Sequence, residues 1–139
     1  MRIHIQPVAE LPYSFMAGAV ATYIQGNQPK EYLNFLTYMF KNQEKYLVKD
    51  TMSYEKAASY LAKDAEAATS GKVTADEVSK ALADHEFLGQ ARIPWKQANA
   101  ARITNVPAYY LNGVEVYNSD SLKTYDDWMT FFKNFWGGK

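Results

Sequence analysis

Ile103-Thr104-Asn105-Val106-Pro107-Ala108-Tyr109-Tyr110-Leu111-Asn112-Gly113-Val114-Glu115-Val116-Tyr117 is the stretch on which the reading of this chain turns. Asn112-Gly113 separates two short runs rich in aromatic and β-branched side chains. Both residues of that pair tolerate the positive φ of a type I′ turn, so the spacing predicts a hairpin over residues 108–117. Pro107 opens its first strand. Beyond the hairpin, residues 119–121 read as a polar loop. Thr124 then heads a helix with Trp128, Met129, Phe132 and Phe135 on one side, released at Gly137-Gly138.

Upstream of the hairpin the pattern is helical almost throughout. Ser14 is expected to cap a helix through Phe15, Met16, Ala19, Val20, Tyr23 and Ile24, with Gly26 as its end. Pro29 suits the first turn of a second helix, where its missing N–H is no loss. Tyr32, Phe35, Leu36, Met39, Phe40 and Gln43 give that helix one broad face. Ser53 is expected to cap a third, carrying Ala57, Ala58, Leu61, Ala62 and Ala65 and ending near Gly71. Thr74 with Glu77 spells a capping box for a fourth, with Val78 and Leu82 facing inward. Helical character continues from about residue 84 to 102, with a kink or break expected at Pro94. At the front, Arg2-Ile3-His4-Ile5-Gln6 alternates polar and apolar residues and reads as a short strand stopped by Pro7.

Composition narrows the chemistry. The chain has 139 residues, the size of one domain, and no cysteine. Without a thiolate these residues cannot exchange disulfides or hold a cysteine-ligated metal. Two histidines are too few for an ordinary His-rich metal site, so no metal and no cofactor is expected. Fifteen basic side chains balance fifteen acidic ones, which argues against a nucleic-acid partner. No apolar run approaches membrane-spanning length, and a membrane partner is not expected. The first residues do not spell a signal peptide; localisation stays open, with the cytoplasm favoured.

The order strand, helices, hairpin, helix resembles the thioredoxin fold, and more closely its DsbA-like branch of thiol–disulfide oxidoreductases and isomerases. In that branch a helical insertion separates the second and third strands. Residues 103–113 are similar to the family's Gly-Val-x-Gly-Thr-Pro-x-x-x-x-Asn-Gly, with Arg102 and Asn105 standing where glycines are frequent. Residues 33–43 resemble the insertion helix ending in Leu-Phe-x-x-Gln, and residues 121–136 resemble the terminal helix. The resemblance implies an α/β domain over 1–139. Within it, approximately 14–102 would form the helical insertion region and 103–136 the C-terminal hairpin plus helix. It implies further that residues 2–6 match the family's second strand, so that the N-terminal βα unit with its Cys-x-x-Cys segment is missing.

Three explanations of that gap stay open: a fragment, a redox-inactive relative whose sheet a partner chain completes, or residues 2–6 sliding into the central position. No catalytic residue is assigned. The resemblance implies that Pro107 is a cis proline beside which an extended peptide pairs, making Asn105, Val106 and Pro107 the candidate peptide-binding loop. The expected partners are an extended peptide or protein, with a homodimer or a strand-completing chain satisfying the open sheet edge.

Other candidates have plainer readings. His4 sits between two isoleucines of the expected strand, and His85 opens a helix. Asp126-Asp127 complements a helix dipole, and Asp64 and Glu66, two apart, do not face each other. Ser14 follows Leu11-Pro12-Tyr13, a spelling similar to that of glutathione-dependent relatives, but the cap reading is preferred. Two function classes therefore compete: a DsbA-like oxidoreductase-family member without its catalytic segment, and a non-enzymatic peptide- or partner-binding module using the Pro107 loop.

Overall fold

In chain order the elements are α1 (Ser14–Asn27), a 3₁₀ turn (Pro29–Glu31), α2 (Tyr32–Lys41), a 3₁₀ turn (Gln43–Tyr46), α3 (Tyr54–Ala68), α4 (Ala75–Ala83), α5 (Glu86–Ala100), β1 (Tyr110–Leu111), β2 (Val114–Glu115), a 3₁₀ turn (Ser119–Ser121) and α6 (Tyr125–Gly137). This is a computed structural model, and it describes residues 7, 13–46, 52–84, 86–103 and 107–137. The expected strand at 2–6, with His4, lies outside the described residues, as do His85, Asn105 and Val106. The chain divides into two compact units, Met1–Ala101 and Arg102–Lys139.

The first unit is built around α1. Its apolar residues are spread round the helix, and Met16, Gly18, Ala19, Val20, Ala21 and Ile24 are buried. A helix apolar on most sides belongs in the middle of a layer, and α1 packs against α2, α3, α4 and α5. Gly18 permits one close approach: a Cβ there would meet Pro7 Cγ at 3.0 Å and Ala91 Cβ at 3.4 Å. The core is completed by Phe35, Leu61, Val73 and Val78 from the surrounding elements. Two ring pairs hold α5 on α1, Phe15–Trp95 and Tyr23–Phe87, both edge to face. α5 continues through Pro94, so of the kink or break expected there the break does not occur, and the two ring pairs on either side of the proline tie both halves of the helix to α1.

Several caps match the sequence reading. Ser53 Oγ accepts from the Lys56 amide at 3.3 Å, and Thr74 with Glu77 forms a full capping box. The α3 C-terminus is closed by the Gly71 amide on Glu66 O at 2.9 Å, with Gly71 at φ +78°. α1 differs at both ends. Ser14 is its first helical residue and Tyr13 stands at the cap position, because the Tyr13 hydroxyl donates to Met52 O and fixes the chain there. Gly26 is helical; the helix ends at Asn27, and Gln28, which precedes Pro29, leaves the helical region at φ −137° and ψ 63°, since proline disfavours the α conformation in the residue before it. In α2 the buried face is Tyr32, Phe35 and Leu36. Phe40, eight positions from Tyr32, has rotated away from it and is exposed.

The second unit holds the two-stranded antiparallel sheet β1–β2, with Tyr110 opposite Glu115 and Leu111 opposite Val114. Asn112 and Gly113 take φ values of 51° and 83°, the type I′ pattern expected of that pair. α6 comes next in the chain. Thr124 and Asp127 cap it reciprocally: Asp127 Oδ2 accepts from the Thr124 amide at 2.8 Å, and Thr124 Oγ1 accepts from the Asp127 amide at 3.2 Å.

Candidate functional site

Pro107 is exposed and stands three residues ahead of β1. The hairpin register fixes which way the backbone of β1 faces. Antiparallel pairs alternate between those that exchange hydrogen bonds and those that do not. The Val116 amide donates to Tyr109 O at 2.8 Å, so the next pair inward, Tyr110 with Glu115, is a non-bonded one. The N–H and C=O of Tyr110 therefore turn away from β2, to the outer side of β1. A polar backbone row on that side, on a strand that begins three residues after an exposed proline, can add an extended chain as a further strand.

The residue that leads into β1 is anchored by α6. Tyr109 packs on Trp128, ring centroids 4.7 Å apart, and Trp128 in turn contacts Phe131 and Phe132. This aromatic seam holds the hairpin on the helix, which such a short sheet could not do alone. Asp127 is not half of a catalytic carboxylate pair. The Thr124 hydroxyl, and after it the Thr124 amide, hold its carboxyl below the ordinary range, which is the signature of a cap.

The first unit holds two polar clusters that sequence reading missed. Asp64, almost fully buried, accepts Lys45 Nζ on both oxygens at 2.8 and 2.9 Å. It also accepts the Tyr46 hydroxyl at 2.5 Å and the Tyr38 hydroxyl at 3.4 Å. Burial first, and the Asp64 hydrogen bond second, push the Tyr46 hydroxyl pKa far up. Glu31, likewise buried, pairs with Lys72 and accepts from Asn34 Nδ2 at 2.9 Å. Both clusters are satisfied: among the described residues no buried side-chain nitrogen or oxygen lacks a partner. They join distant segments and have no open position for a substrate. Asp64 and Glu66 do not form a site together, and among the described residues no group of carboxylates and histidines could hold a metal. A groove of about 450 Å³ opens between α3 and α4, lined by Ala58, Ala62, Ala75 and Leu82 among others.

Four carboxylates are held below their ordinary values of 4.5 for Glu and 3.8 for Asp: Glu31 by Lys72 and then Asn34, Glu55 by its own amide and then Ser53, Glu77 by the Thr74 amide and then its hydroxyl, and Asp127 by Thr124. Each binds its proton less tightly folded than unfolded. Each therefore contributes stability above the ordinary value that is lost as pH falls through the folded one. Tyr46 has the opposite sign, with stability present below about pH 10 and lost above it. The urea midpoint is thus expected to be highest between about pH 6 and pH 9 and to fall on both sides. Glu31→Gln should flatten the acid limb; an acid limb unchanged by that substitution would contradict the assignment.

A protein-family model described as thioredoxin matches residues 1–133 of the chain. No curated protein and no solved structure matches it.

Proposed function

The chain belongs to the thioredoxin family, and we propose that it is a DsbA-like member without redox chemistry of its own, which holds an extended peptide along β1 beside Pro107. On this reading the helices over residues 14–102 are the insertion of that branch, and Asn105, Val106 and Pro107 form the loop against which the peptide lies. The observation that carries it is the outward N–H and C=O of Tyr110, three residues after an exposed proline. Composition supports the redox half, since these residues contain no thiol to attack or resolve a disulfide.

Binding of fluorescently labelled, reduced and carboxymethylated insulin B chain, followed by anisotropy, tests the proposal. Saturable binding is expected. Tyr110→Pro removes the outward N–H without touching a bond to β2, and should lower affinity about tenfold, the worth of one interfacial hydrogen bond. Tyr110→Ala keeps that donor and should lose less, whereas Pro107→Ala should weaken binding by changing the strand's entry. Insulin reduction by dithiothreitol should run at the buffer rate throughout. Absent binding, or equal losses for Tyr110→Pro and Tyr110→Ala, would overturn the proposal.

A further inference from the structure

α6 is aromatic on more of its surface than the hairpin uses. Trp128 makes the contact with Tyr109, and Phe131 and Phe135 continue that stripe. A second stripe, Tyr125, Met129, Phe132 and Trp136, recurs at spacings of four, three and four, which stacks it along one side of the helix. Three of its members are open to solvent, Tyr125 at 76%, Trp136 at 66% and Met129 at 37% exposed, and Phe132 between them is half-buried. Phe132 and Trp136 stack on each other, centroids 5.0 Å apart, so the face is already ordered. Aromatic residues and methionine gathered in one exposed patch mark an interaction surface.

Charge says what the patch fits. Asp126 and Lys133 border the stripe on the same side, in the place that flanking charges take beside a coiled-coil seam. Seven residues put them about 10 Å apart along the axis, too far to pair with each other. Neither belongs to an ion pair among the described residues. The side opposite is the hairpin stripe, which is apolar.

We infer that this face docks on the same face of a second copy, the two α6 helices running antiparallel about a twofold axis. The stripe reads the same from both ends in that arrangement. Tyr125 lies across from Trp136 of the partner subunit, and Met129 lies across from Phe132 of the partner subunit. In an antiparallel pair, flanks on the same side meet, so Asp126 falls beside Lys133 of the partner subunit, and the symmetric pair forms with it. A parallel pair would set both charges against the partner's apolar stripe and leave them unpaired. The antiparallel order also opposes the two helix dipoles. Contact of this kind is isologous and closes at two copies. It leaves the outer side of β1 open, so the homodimer expected from the sequence is assigned to α6 and not to the sheet edge.

Sedimentation velocity on the full chain, from about 1 to 100 μM, tests the inference. The expected result is a species of twice the 15.8 kDa chain mass. Lys133→Glu and Asp126→Lys each place like charges together twice per dimer and should weaken association about tenfold. The double variant Asp126→Lys/Lys133→Glu should restore it. Rescue cannot come from a contact within one helix at that separation. Trp136→Ala should weaken the dimer without altering the far-ultraviolet spectrum. A monomer at every concentration overturns the inference, and so does a dimer indifferent to the charge reversals. A dimer lost on Tyr110→Pro but not on Trp136→Ala would place the contact at the sheet edge and overturn it as well.

Discussion

Phe35→Ala should lower the unfolding free energy by about 3–5 kcal/mol. Among the described residues Phe35 is the largest fully buried side chain, and it lies within the core shared by α1 to α5. Truncation removes both its transfer free energy and its contacts, and the surrounding helices can only partly close the cavity. Against a total stability of about 5–15 kcal/mol, such a loss approaches unfolding at ordinary temperature. Phe35→Leu keeps most of the volume and should cost under about 1.5 kcal/mol. Urea titration followed by circular dichroism reads the first unit directly, because α1 to α5 lie in it. A loss below about 1 kcal/mol for the alanine variant would mean that α2 does not pack as described.

Asp64→Ala should cost about 3 kcal/mol, by a different route. The carboxylate gathers Lys45, Tyr46 and Tyr38 from α2 and the turn after it onto the middle of α3. Its removal leaves the buried Tyr46 hydroxyl without an acceptor, and unpaired buried polar groups are more costly than the net worth of the bond they lose. Lys45 is half-exposed and returns to water, which keeps the figure at the low end of the range for broken buried pairs. Asp64→Asn retains an acceptor and should lie between wild type and Asp64→Ala. The order is the test: asparagine as damaging as alanine would show that charge alone matters, and a neutral alanine variant would show that the cluster holds nothing.

These two residues show where sequence reading stops. Phe35 was visible because helical spacing is a local property, whereas Phe40 was placed on the same face and is exposed. The hairpin was legible for the same reason: the conformational demand of a type I′ turn falls on Asn112 and Gly113 themselves. So were the caps at Ser53 and Thr74. Asp64 could be seen only as a helical carboxylate, because its partners lie 18, 19 and 26 positions away and meet it through packing. Glu31 and Lys72, 41 positions apart, were hidden likewise. Arg102 illustrates a middle case. It stands where the resembling family frequently has glycine, and it does adopt a left-handed φ of 58°, a conformation that costs a side chain roughly 1–2 kcal/mol. The resemblance marked the position; only the backbone showed that the demand persists here. Of the candidate loop, Pro107 alone falls among the described residues.

If β1 receives an extended chain beside Pro107, in a thioredoxin-family protein with no thiol of its own, the Tyr110 amide must register it. Amide hydrogen exchange by nuclear magnetic resonance reads that group directly, on ¹⁵N-labelled protein with and without saturating carboxymethylated insulin B chain. The expected result is new protection of the Tyr110 amide, whose N–H faces outward in the free hairpin, with shift changes centred on residues 108–111 and none in the α3–α4 groove. A Tyr110 amide that exchanges at the same rate with and without saturating peptide, or protection gained along α3 and α4 instead, would contradict peptide addition at β1.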